Sequence, residues 1–172
     1  MKTFRHLCTA LLLLCGIAAN AHDFEVDGIY YNITDEENRT VEVTNAIINE
    51  GDVVIPSTTT YEGATYTVTS IGEDAFFRCS SLTAINIPEG VTSIGNYAFY
   101  NCSSLTAINI PEGVTSIGDY AFYECSRLTS ITLPESVTSI GDYAFCNCSS
   151  LTAINIPEGV TSIGETAFYN CI

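Results

Sequence analysis

From residue 71 onward, apolar side chains return at fixed offsets every 23 residues. One segment carries Ile94, Ala98, Phe99, Cys102, Leu105, Ile108, Ile110 and Val114. The next carries Ile117, Ala121, Phe122, Cys125, Leu128, Ile131, Leu133 and Val137. An Ile-Gly pair marks each beat, at Ile71-Gly72, Ile94-Gly95, Ile117-Gly118, Ile140-Gly141 and Ile163-Gly164. A constant period of this size predicts a solenoid, in which each coil buries its apolar side only against its neighbours. Complete repeats span 71–93, 94–116, 117–139 and 140–162, and 163–172 starts a fifth.

Within a coil, Leu105-Thr-Ala-Ile108-Asn-Ile110 alternates apolar and polar toward its end, which predicts a short strand. Pro111 has no donor for a ladder and ends it. Glu112-Gly113 makes a turn, and Val114 to Ile117 is a second extended piece. Gly118 breaks that piece, and Asp119 is placed to cap a short helix through Tyr120, Ala121, Phe122 and Tyr123. Equivalent strands of stacked coils lie side by side in one direction, as a parallel sheet with strands about 4.8 Å apart.

Residues 22–56 lack the repeat. Phe24, Val26, Ile29 and Tyr31 sit at near-alternate positions about Asp27-Gly28. Val41 and Val43 follow the polar turn Asp35-Glu36-Glu37-Asn38. This predicts an antiparallel meander that closes one end of the solenoid. Val53-Val54-Ile55-Pro56 repeats the pattern of Ile85-Asn86-Ile87-Pro88, so 53–70 reads as a degenerate first coil with a hairpin at Glu62-Gly63. The N-terminal β-rich cap and this coil together span 22–70, the solenoid 71–172. Four repeats and the degenerate coil give about five sheet strands.

The phrase Cys79-Ser-Ser-Leu82-Thr-Ala-Ile85-Asn-Ile87-Pro88, closing through V-x-x-I-G-x-x-A-F and repeated three more times, resembles the BspA-like, or treponemal-type, leucine-rich repeat family. The resemblance covers 71–172, and 53–70 more loosely. It implies an α/β fold: a right-handed solenoid with a parallel β-sheet on one face and short helical turns on the other. It also implies a secreted or surface protein of a host-associated bacterium that binds host matrix proteins or other cells. The class has no shared catalytic residues to carry over.

The chain's first 21 residues predict a signal peptide. Lys2, Arg5 and His6 precede the apolar run from Leu7 to Ala18, and Ala19-Asn20-Ala21 offers cleavage after Ala21. The apolar run is too short for a retained span. Acylation at Cys15 is disfavoured by bulky Leu14 before it. Beyond residue 21, all 20 acidic residues face three bases, Arg39, Arg78 and Arg127, for a formal balance of −17. Such a surface repels nucleic acid and anionic lipid. Neither nucleic acid nor a membrane is therefore expected as a partner of the mature chain.

The chemistry-bearing residues mostly fall into rows. Cys79, Cys102, Cys125, Cys148 and Cys171 form one column at the repeat period. A straight column does not converge on a metal, and parallel side chains hold neighbouring Cβ atoms too far apart for a disulfide. The thiols are expected to be buried and free, with no metal and no cofactor. Cys146 replaces a tyrosine on the outer wall and is expected to be a partly exposed, reactive thiol able to link two molecules. His22 is the only histidine left after cleavage, so no nucleophile–histidine pair can form. Glu89, Glu112, Glu135 and Glu158 form a row at a spacing near that of retaining glycosidase carboxyls. Identical surroundings cannot split their pKa values, so the row is expected to be solvated turns. Asn32, Asn38, Asn101 and Asn147 head N-glycan triplets, incidental in a bacterial chain.

Two faces remain as candidate contact surfaces. The open side of the sheet presents Asn86, Asn109, Thr132 and Asn155, flanked by Ala84, Ala107, Ser130 and Ala153. These are small, neutral and nearly uniform. The outer wall presents Tyr97, Tyr120 and Tyr143, expected to stack into an exposed stripe that either covers the core's outer edge or holds a repetitive partner such as a glycan, and the column Phe77, Tyr100, Tyr123, Cys146 and Tyr169. The reading is a non-enzymatic binding or adhesion module contacting a host extracellular protein or glycan. A passive surface antigen is the alternative and a carbohydrate hydrolase a remote one. The chain stops mid-coil at Cys171-Ile172, so fraying or self-association through that edge is also expected.

Overall fold

The computed structural model describes residues 22–48 and 51–171. The N-terminal segment holds β1 (Phe24–Val26), β2 (Ile29–Asp35), β3 (Thr40–Ala46), β4 (Asp52–Val54), β5 (Thr58–Tyr61) and β6 (Ala64–Ile71). Each repeat then adds two short strands. These are β7 (Ala84–Asn86) and β8 (Ser93–Ile94), β9 (Ala107–Asn109) and β10 (Ser116–Ile117), β11 (Ser130–Thr132) and β12 (Ser139–Ile140), and β13 (Ile154–Asn155) and β14 (Ser162–Ile163). The expected signal peptide lies outside the described residues. No helix among the described residues is long and apolar enough to cross a membrane.

The coils stack in register as a parallel β-solenoid. One sheet has five strands in the order β4-β7-β9-β11-β13. In it Val53 pairs with Ile85, Ile85 with Ile108, Ile108 with Ile131, and Ile131 with Ile154. The second sheet has nine strands in the order β1-β2-β3-β6-β8-β10-β12-β14, with β5 beside β6. The N-terminal meander therefore continues this sheet: β1, β2 and β3 are antiparallel, and β3 then runs parallel to β6. Asp27-Gly28 and Glu62-Gly63 turn their hairpins with all four residues at positive φ, as a two-residue mirror-image turn requires.

The core is a set of rows. Phe76, Phe99, Phe122 and Phe145 are fully buried and stack face to face at 5.1–5.2 Å, and Phe168 follows at 5.4 Å. Leu82, Leu105, Leu128 and Leu151 form a second buried row. Threonines tie the coils at the surface: Thr115 Oγ1 donates to the Thr92 carbonyl at 3.3 Å and Thr138 Oγ1 to that of Thr115 at 3.1 Å.

The short outer helix expected from Asp119 onward is absent, and no helix occurs among the described residues. Its amides are spent elsewhere. Alternate N–H groups cross to the next coil, Tyr97 to Asp119 O, Phe99 to Ala121 O and Asn101 to Tyr123 O, at 2.7–2.8 Å. The intervening Tyr100 and Cys102 amides close turns onto the carbonyls three residues back. Tyr97 and Asn101, like Tyr120 and Glu124, sit at φ between 53° and 57°, where no α-helix can pass. The side-chain cap is likewise between coils: the Asp119 carboxylate accepts the amide of Asp142, 23 residues on, at 2.8 Å. Sequence alone favours local capping. In the solenoid the neighbouring coil is as near as the next turn.

Candidate functional site

The outer wall carries the richest side-chain chemistry, and a polar ladder holds it in place. Asn96 Oδ1 accepts the Asp119 amide, Asp119 Oδ1 that of Asp142, and Asp142 Oδ1 that of Glu165, at 2.7–2.9 Å. Each link fixes the start of the next outer segment, so the residues that follow repeat their positions closely.

The tyrosines that follow Asn96, Asp119 and Asp142 stack as expected. Tyr97, Tyr120 and Tyr143 lie at centroid distances of 4.9 and 4.8 Å, with planes within 8°. A second column runs beside it: Phe77 on Tyr100 at 5.0 Å and Tyr100 on Tyr123 at 4.9 Å. The two columns zip together through tilted contacts, Tyr97 with Tyr100 and Tyr120 with Tyr123, at 5.8 and 5.6 Å. Such geometry adds about 0.5–1.5 kcal/mol per pair beyond burial. Packing raises the Tyr120 phenol above its ordinary range, with Tyr143, Tyr97 and Asp142 adding to it. The Tyr120 phenol is therefore held in its neutral form. Both ring columns are half-buried along their middle, so they cover the core edge and still present a surface.

The second column breaks at Cys146. The expectation of a partly exposed, reactive thiol there is corrected: Cys146 is only 4% exposed. Its side chain is short and lies beneath the level of the flanking rings. Burial raises its pKa, and Glu124 raises it further, so the thiolate is disfavoured. Around it is a cavity of about 340 Å³ whose lining includes Tyr123, Tyr143, Thr166 and Tyr169.

The opposite face is flat and uniform. Asn86, Asn109, Thr132 and Asn155 are all exposed, as are Ala84, Ala107, Ser130 and Ala153. The glutamate row, Glu89, Glu112, Glu135 and Glu158, is exposed on turns. His22 lies at the other end of the molecule, with Nδ1 2.6 Å from Thr44 Oγ1. Among the described residues, no group of three or more His, Cys, Asp or Glu side chains is placed to hold a metal.

The six described cysteines are unbridged. The column has a role that the sequence reading missed. The Cys102, Cys125, Cys148 and Cys171 thiols donate to the carbonyls of Phe76, Phe99, Phe122 and Phe145 in the coil before, at 3.1–3.2 Å. Only the 26-residue offset, one coil plus three residues, hinted at it. Burial pushes the Cys148 thiol up to about 12 and Cys125 well above its ordinary value. Burial likewise pushes the Tyr31 phenol up to about 12. These groups bind their protons more tightly folded than unfolded. Their stabilisation is complete below the unfolded thiol pKa of about 8.5 and is lost as pH climbs toward 12. Melting temperature is thus expected to fall steadily from pH 9 to pH 11, and less steeply in Cys125→Ala. Circular dichroism melts check this, and a flat profile would contradict it.

Comparison with known proteins adds the following. Residues 57–172 match the BspA type leucine rich repeat region in six copies. A leucine-rich repeat protein of Bacteroides ovatus is 47% identical over 86% of this chain, with a TM-score of 0.80. The chain spans only 38% of that protein's length. A leucine rich repeat protein of T. pallidum is 31% identical, with a TM-score of 0.78, over 86% of this chain and 67% of its own. A leucine rich cell surface protein of Faecalibacterium prausnitzii is 30% identical, with a TM-score of 0.51, over 86% of this chain and 52% of its own. No curated protein matches the chain.

Proposed function

Because the chain belongs to the BspA-type leucine-rich repeat family, we propose that it is a secreted or cell-surface binding and adhesion module. It is non-enzymatic and contacts a host extracellular protein or a glycan. The observation that carries this reading is the doubled aromatic column on the outer wall. Rings repeating at 4.8–5.0 Å beside regularly placed acids suit an extended, repetitive partner lying along the rod. The sheet face, with its small uniform side chains, lacks the aromatic and arginine anchors that dominate binding hot spots. One solved relative is described as a cell surface protein, and the predicted leader at 1–21 agrees with export.

The test is retention of the purified chain on immobilised matrix proteins, mucin and glycan arrays. Alanine at Tyr97, Tyr120 and Tyr143 together is expected to cut retention at least tenfold while the circular dichroism spectrum is kept. Silence on every surface would favour the passive surface antigen.

A further inference from the structure

We propose that the break in the outer aromatic column at Cys146 is a binding slot for one planar aromatic ring, neutral or positively charged. The column repeats one ring per coil at 5.0 and 4.9 Å until Tyr123. The next rung is Cys146, and the one after is Tyr169. The coils keep their register here: the Glu124 amide donates to Cys146 O and the Asn147 amide to Tyr169 O, both at 2.9 Å. Tyr123 and Tyr169 are therefore two rungs apart with no ring between them. A ring inserted there stands one rung from each, inside the centroid range that aromatic pairs prefer.

In the neighbouring column Tyr143 stands level with Cys146, and the ring is missing one coil further on, where Thr166 stands level with Tyr169. The cavity of about 340 Å³ has both Cys146 and Thr166 in its lining, and its volume is within the usual size of small-molecule sites. The upper wall is preformed. Asn147 Nδ2 donates to the Tyr123 hydroxyl at 3.2 Å, and Asn170 Nδ2 donates to Asn147 Oδ1 at 2.9 Å. The buried Cys146 forms an apolar floor, and sulfur is a favourable neighbour for a ring edge. Glu124 borders Cys146 and Glu165 borders Thr166 in a strongly acidic chain, which turns away anions and favours a cationic substituent. The slot takes a single ring. It stands apart from adhesion along the rod and does not depend on it.

Tryptamine is the direct probe, because the chain has no tryptophan and indole emission arises from the probe alone. Its emission is expected to change saturably at one molecule per chain, with tyramine competing. Cys146→Tyr completes the column, so it is expected to weaken tryptamine binding at least tenfold while raising the melting temperature. Tyr169→Ala is expected to weaken it as much with the fold unchanged, and Asn86→Ala on the far face to leave it unaltered. The proposal is overturned if tryptamine shows no saturable change, or if the folded Cys146→Tyr chain binds it as wild type does. It is also overturned if methyl glycosides displace tryptamine as well as tyramine does, since the slot would then suit a sugar ring.

Discussion

Phe122→Ala is expected to lower the unfolding free energy by about 3–5 kcal/mol, the range for deleting a buried phenylalanine. Phe122 is fully buried and stacked between Phe99 at 5.2 Å and Phe145 at 5.1 Å. Its removal leaves a ring-sized void in the middle of the row and strips one face from each neighbour. Small domains are stable by only about 5–15 kcal/mol, so the loss is a large share of the total. A solenoid adds a second consequence. Stability is carried by interfaces between adjacent coils, so a defect at a central coil weakens two interfaces and should broaden the transition. Phe168 is only half-buried and stacks on one side alone. Phe168→Ala is therefore expected to cost far less. Denaturant titrations of the two variants check this, and equal losses would contradict the row as the main source of stability.

Gly118→Ala is the second large effect. A Cβ on Gly118 would meet Asn96 N and Gly95 C at 2.6 Å. Both are backbone atoms of the preceding coil and cannot turn aside. The coils must separate locally, at a cost of about 1–3 kcal/mol or more for overpacking. The contrast is Gly159, whose nearest neighbour to an added Cβ is Glu135 O at 3.2 Å, so Gly159→Ala is expected to be mild. Thermal melts of both variants decide the matter, and a neutral Gly118→Ala would show that the coils are further apart than they stand here. The glycine of each Ile-Gly pair is thus required by the closeness of successive coils. Breaking a strand, the role its position suggests in a single repeat, is secondary.

That shift in meaning shows which features a repeat discloses. The apolar offsets foretold the rows, the register of Ile85, Ile108, Ile131 and Ile154, the degenerate strand at Val53, and the tyrosine stack. All follow from period and burial, which one chain displays openly. Other features depend on where amides and side chains find partners in the next coil. Asp119 looked like a helix cap and instead accepts the Asp142 amide. The outer segment looked helical and instead sends alternate amides across. The cysteine thiols looked merely apolar and instead donate to phenylalanine carbonyls. In each case the local partner that propensity favours competes with an equally close one 22 to 26 residues away. At Cys146 the sequence displayed the departure from tyrosine but not its depth. The short side chain lies beneath its neighbours, and the missing ring becomes a cavity.

The central claim is that equivalent side chains of successive coils touch in order along one rod. Methyl NOE spectroscopy on isotope-labelled protein tests it most directly. Cross-peaks are expected from Ile85 to Ile108, Ile108 to Ile131, and Ile131 to Ile154, with none from Ile85 to Ile131. Cross-peaks that skip a coil, or the absence of the sequential set, would contradict the stacked solenoid and every surface assigned from it.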